Sequence, residues 1–389
     1  MPDLEKLLNP FLKHRAGTAG GMVLVGDRRG DPARQAPQAA RPPDPPVNRH
    51  RDNGFFGPGS ATWKVWSYPT SPVLGFLRAV VVEELDPFLV ASVDHSGQVK
   101  QRTRLRYDRT LQYFATVMFA DAESVLSSAE TLVKIHSCSV GPEPVTGGTF
   151  DANDPDSQLW IHLTAWHSIL YTYEMFGPGR LPVEAEREYW AQCATAAHFQ
   201  TIDPDRVPRT RAGIVEYFEE YRPRLVGSPV AQDMMNFLLR AVPRVLEGGA
   251  LPAPFHGPVS LSVRKAVVAT MPRWMRELAG IKQSRAADVA VTAQMRPVIR
   301  ALAASPALQL AIIRRLSPRT AEVAEPVLRG TPAAEDRTWT PAEAYEHFGR
   351  VTPPQQYAQI VAARGAGAGP RAYGRHHSES VMDFPVGDE

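Results

Sequence analysis

Apolar residues recur along this chain at helical spacing, most clearly over residues 102–141. Within RTRLRYDRTLQYFATVMFAD, Arg106, Thr110 and Tyr113 fall on one helical face. Asp121 then offers an N-cap side chain, and Glu123 a first-turn carboxylate that favours the helix dipole. Val125, Ala129, Leu132, Val133 and His136 follow at i, i+4, i+7, i+8 and i+11. His136 therefore stands inside an apolar stripe, shortly before the pattern stops at Gly141 and Pro142. An imidazole among aliphatics is costly unless it finds a partner. Either it is a satisfied core histidine or it ligates something.

The rest of the chain repeats this helical pattern. Ser60 reads as an N-cap ahead of two tryptophans three residues apart, Trp63 and Trp66. VLGFLRAVVVEELDPFLVASVDHS predicts an apolar helix ending near Leu85 and a restart at Asp86-Pro87. Glu83, Glu84, Asp86, Asp94 and His95 cluster around that break; the carboxylates near Asp86 and His95 could supply a mononuclear iron site, but a solvated interhelical loop explains them more cheaply. PEPVTGGTFDANDPD is dense in turn residues and predicts a loop. SQLWIHLTAWHSILYTYEMFG then predicts a long helix whose buried stripe contains His162. Residues 181–200, 214–221, 229–246, 259–278 and 286–302 continue the helical period, with no alternating strand runs and no sequence repeat. The expected fold is all-α: a single multi-helix domain over about 55–305. A disordered tail precedes it at 1–54. A peripheral helical extension follows at 306–363, with one helix expected after Thr331, and then a second disordered tail at 364–389.

Composition changes little in that picture. With 43% hydrophobic and 22% charged residues, the chain has the make-up of an ordinary globular protein. A net charge of +2 gives no electrostatic case for nucleic acid or an anionic membrane as the main partner. Cys138 and Cys193 form no metal or redox spacing. No stretch has the roughly 18 to 20 consecutive apolar residues of a membrane span. The N-terminus lacks the apolar core of a secretory signal, and no apolar run follows Arg28-Arg29. A cytoplasmic location is the expectation.

Internal histidines in mixed helical packing are compatible with a haem pocket, where a proximal histidine holds iron and polar groups face the other side. His136 and His162 are the axial candidates. Arg106, Arg109 and Thr110 are candidate distal or propionate partners, the plain alternative being a solvated helix face. The Glu-x-x-His pairs of di-iron bundles are absent, as are a nucleophile elbow, a phosphate loop and a dinucleotide fingerprint.

The order of motifs FGPGSATWKVWSYP, VVVEELDPFLVASVDHS, RLRYDRTLQYFATVMFAD, ETLVKIHSCSVG, DSQLWIHLTAWHS and MPRWMREL resembles the family of latex-clearing protein (rubber oxygenase) and the MpaB-type oxygenases. That resemblance covers about 55–280. It implies a globin-like helical core, non-covalent haem b, and oxidative cleavage of isoprenoid C=C bonds by dioxygen. By position it implies His136 as the iron ligand and Arg106 and Thr110 as a pocket polar pair. Arg109 stands where the rubber oxygenase has a lysine. His162 belongs to a recurrent motif of no assigned role. Two positions depart from the pattern: Leu85-Asp86-Pro87 replaces LHP, and Val140 stands where the family has an arginine four residues after the ligand histidine. The implied activity is oxygenation of a hydrophobic small molecule. The alternative is a catalytically silent helical member acting as a binding or interaction module.

Overall fold

A computed structural model describes residues 48–246 and 252–365. The helices are α1 (Ala61–Trp66), α2 (Phe76–Glu83), α3 (Pro87–Ser96), α4 (Gln98–Gln101), α5 (Thr103–Phe119) and α6 (Ala122–Ser137). A hairpin of β1 (Val140–Glu143) and β2 (Gly148–Asp151) leads to α7 (Pro155–Phe176), α8 (Val183–Ala197) and α9 (Arg211–Tyr221). After these come α10 (Pro229–Arg240), α11 (Val242–Leu246), α12 (His256–Thr270), α13 (Arg273–Leu278) and α14 (Arg285–Ala303). The last four are α15 (Pro306–Leu316), α16 (Pro318–Arg329), α17 (Pro341–His347) and α18 (Pro353–Gly365).

The helix starts follow local chemistry. Ser60, Asp86, Asp121 and Asp154 each accept a hydrogen bond from a first-turn backbone N–H, a device worth about 1 kcal/mol per helix. Pro87 and Pro155 sit just inside their helices, where no amide donor is needed. Gly97 takes φ +63°, the left-handed conformation that lets α3 end and α4 begin without a Cβ penalty.

The longest helix, α7, organises the packing. Its Leu163, Trp166, Ile169 and Leu170 join a core built with α1, α5, α6 and α8. On other faces Trp160 and Phe176 enter a second core with α2, α10, α12 and α14. A helix buried on most sides must be apolar all round, which is why its stripe is broad. Against it lies a single π-helical turn, Ser71–Gly75, leading into α2. Gly75 is required there: a Cβ would come within 2.6 Å of Ile169 Cδ1.

Three expectations change. Residues 140–151 form an antiparallel hairpin, with Gly141 opposite Phe150, where only a loop was expected. Four short residues per strand carry too little alternation to register as strands. Next, the chain from Asn48 is already packed: Asn53 N donates to Arg337 O, and Asp52 accepts from Gly54 and Ala122. The remaining tail residues lie outside those described. Finally, α15–α18 pack on the body. Gln309 donates to Ser67 O, Tyr345 to His198 O and Tyr357 to Asp151. Trp339, Ala344 and Tyr345 enter the first core, and two helices, not one, follow Thr331.

Candidate active site: an apolar cavity beside His136

Between α2, α3, α5, α6 and α7 lies a cavity of about 600 Å³, lined on its far side by α11, α12, α14 and α15. That size is ordinary for a small-molecule site. Its walls are mainly aliphatic and aromatic, including Leu77, Phe114, Ile135, Ile161 and Ile299. The polar groups that reach it come chiefly from α2, α5, α6 and α7.

On α5, Arg106, Arg109, Thr110 and Tyr113 all line the cavity. One-turn spacing between Arg106 and Thr110 brings both side chains to the same wall, and the Thr110 hydroxyl donates to the Arg106 carbonyl at 2.8 Å. Burial holds the Arg106 pKa below its usual value, against the attraction of Glu84, while Arg109 adds repulsion. It remains a cation. Arg109 is buried, whereas Arg106 is exposed and lines the cavity with it, so the solvated helix face considered for these arginines is excluded for Arg109 alone.

His136, on the last turn of α6, lines the same space. Its Nδ1 lies 2.9 Å from Gln158 Nε2, and both groups face the Ala152 carbonyl. An amide nitrogen can only donate, so Nδ1 accepts from Gln158 as the side chains stand; Nε2 has no hydrogen-bond partner among the described residues. Burial pushes the pKa of His136 down to about 3, helped by the Arg106 charge and opposed by the bond to Ala152. The imidazole is thus neutral and able to ligate.

His162 has a different setting. It is 2% exposed, lies outside the cavity lining, and its Nε2–H donates to the Cys193 carbonyl at 2.8 Å across the α7–α8 seam. Its donor is spent on packing. Cys193 itself is fully buried and Cys138 exposed.

Two further cavity groups escaped the sequence reading. Glu83 and Glu84 continue the apolar face of α2 and line the cavity, and Glu84 is only 4% exposed. Burial pushes Glu83 up to about 8. It raises Glu84 as well, with Glu83 adding repulsion and Arg106 offsetting part of it. One Glu84 oxygen, Oε2, is buried without a partner. The solvated acidic loop is therefore corrected for Glu83, Glu84 and Asp86, which the chain carries inward, while Asp94 and His95 are exposed. Gln158 is the other, visible in DSQLWIH only as a polar residue in an apolar helix. Asp86, which replaces the expected histidine, is 1% exposed; it caps α3 through Leu89 N and accepts from Tyr221 Oη at 2.9 Å. Val140 is exposed on the hairpin and does not line the cavity.

A family described as ER-bound oxygenase mpaB/B'/Rubber oxygenase, catalytic domain, matches residues 63–301, more than half of the chain. The chain belongs to this family. The match begins at α1 and ends in α14, so it contains the whole α5–α6 wall and both histidines. No curated protein and no solved structure matches significantly. Membership carries an oxidoreductase assignment at the level of the family. It also corrects the cytoplasmic location expected from the lack of an apolar span, because the family is described as ER-bound. No single helix among the described residues is long and apolar enough to cross a membrane. Only α14 and α15 together, bent by 103°, have the length and composition.

Proposed function

We propose that the chain is a haem-b oxygenase that uses dioxygen on a hydrophobic small molecule, an isoprenoid C=C bond being the substrate chemistry the family suggests. The observation that carries this reading is the neutral His136 with Nδ1 tied back and Nε2 left over beside an apolar cavity. Ligating histidines are characteristically fixed through their second nitrogen; a turned Gln158 amide, its oxygen accepting from Nδ1–H, would do so here. No group of three or more His, Cys, Asp or Glu side chains is arranged for a metal ion among the described residues. A lone imidazole suits haem, whose macrocycle brings four nitrogen donors of its own. The residues therefore fit the group, and a helical core wrapped round it would be globin-like in that sense.

In this reading His136 Nε2 is the iron ligand, and Gln158 with the Ala152 carbonyl sets its orientation. Bound haem supplies dioxygen activation. Arg106 and Arg109 would provide positive charge at the cavity wall for propionates or for reduced oxygen. Thr110 offers a hydroxyl one turn from Arg106. Glu84, whose burial raises it well above the usual carboxylate range, can hold a proton at a carboxyl facing the cavity and release it. The aliphatic walls bind the substrate and exclude water. His162 is assigned no part in holding the cofactor.

The test is spectroscopic. The protein purified after expression with sufficient haem should show a Soret band at one haem per chain, and His136→Ala should lose it while staying helical. A colourless protein that refuses added haem would favour the silent binding module instead.

A further inference from the structure

The far wall of the cavity differs in charge from the rest of the molecule. Residues 256–316 hold ten Lys and Arg against two Asp and Glu, although the whole chain carries only +2. Both acids are already paired: Glu277 with Arg273 and Asp288 with Arg276. Arg264, Lys265, Lys282, Arg285, Arg296 and Arg300 have no carboxylate partner among the described residues. On or beside the same helices stand Phe255, Leu261, Val289, Val298 and Leu308, each about half exposed or more. A bond from Gln294 to Ser262 sets α14 beside α12. There Ala290, Gln294, Val298 and Ala301 make an exposed stripe with one polar member.

Val298 links that surface to the interior. It is 49% exposed and also lines the cavity, as do its neighbours Val259 and Leu302. The cavity thus has a mouth at the α12–α14 seam, rimmed by apolar side chains and surrounded by unpaired cations. The inner faces of α14 and α15, with Val291, Met295, Ile299, Leu310 and Ile313, are buried in the protein. These helices therefore cannot present apolar surface all round, as a membrane-spanning pair would. Their outer face can still lie on a membrane, apolar side chains entering the headgroup region and cations meeting anionic lipid.

We propose that the outer face of α12 and α14, with the start of α15, docks on the anionic surface of a phospholipid bilayer. The mouth at Val298 then takes a hydrophobic substrate directly from the lipid. The substrate clause rests on the oxygenase reading above; the docking clause does not.

The experiment is vesicle co-sedimentation of the full chain, with phosphatidylcholine alone or with about a third phosphatidylserine. It compares wild type with Leu261→Asp and Lys265→Glu, neither of which lines the cavity. Haem content and thermal midpoint are read on the same preparations. Wild type should bind the anionic vesicles, lose binding as salt rises, and bind phosphatidylcholine far more weakly. Each variant should bind at least about tenfold more weakly at unchanged melting temperature and haem content. Equal binding by wild type and both variants would overturn the proposal, as would no binding by wild type. Vesicle binding by a protein that takes up no haem would sink the oxygenase reading and leave the docking surface standing.

Discussion

Two histidines on two apolar stripes end in opposite chemical situations. At the α6 wall, Nδ1 of His136 meets the Gln158 amide and the other nitrogen is left over beside the cavity. At the α7–α8 seam, His162 gives its Nε2–H to the Cys193 carbonyl inside solid packing. Burial depresses both, to about 3 and about 4. A shifted pKa therefore does not separate a ligand from a core histidine. What separates them is whether space adjoins the leftover nitrogen.

The sharpest way to break that contrast is to remove each ring. His136→Ala should abolish haem retention with little change in melting. His162→Ala should keep one haem per chain but cost about 2–4 kcal/mol, from the hole left in the seam and an unpaired carbonyl. Haem titration and thermal melting of both variants check it, and the reverse pattern would exchange their roles.

A smaller effect is expected at Gln158, whose amide shares a carbonyl with the His136 ring. Gln158→Leu should weaken haem affinity by roughly 10- to 100-fold, as loss of an orienting partner does at metal sites. Competition with apomyoglobin would measure it. Unchanged affinity would mean that the Ala152 carbonyl alone fixes the ring.

Thr110 tests the α5 side of the same wall. Thr110→Ala should leave haem bound and lower turnover by about tenfold or more, since a group used mainly at the transition state affects rate more than binding. Among the described residues its hydroxyl bonds only to its own helix, so melting should hardly move. Full specific activity per haem would remove Thr110 from the mechanism.

The smallest effect is in pH. Glu83 moves from 4.5 to about 8 on folding, so the folded chain keeps a proton that the unfolded chain has released. Its contribution is complete below pH 4.5 and is lost as pH rises through 8. His136 pulls the other way: with a folded value of about 3 against 6.5, its stabilising effect is lost as pH falls through that window. Glu83→Gln should therefore flatten the alkaline decline in melting temperature of the haem-free protein and leave the acid decline intact.

The sequence alone determined the helical class, the α5–α6 pair and the caps at Ser60 and Asp121, because these depend on period and on side chains within a few residues. It also brought Arg106, Arg109, Thr110 and His136 under suspicion together, through motif order that the family match over residues 63–301 then supported. Other features were settled only in three dimensions. An apolar stripe states that a residue faces inward, but not whether inward means packed atoms or empty space. His136 and His162 could thus not be told apart by pattern, and Glu84 looked like loop acid until α2 turned it into the cavity. The hairpin at 140–151, the docking of α15–α18 and the mouth at Val298 join segments far apart in the chain. Their energies lie in contacts between those segments, which no local period records.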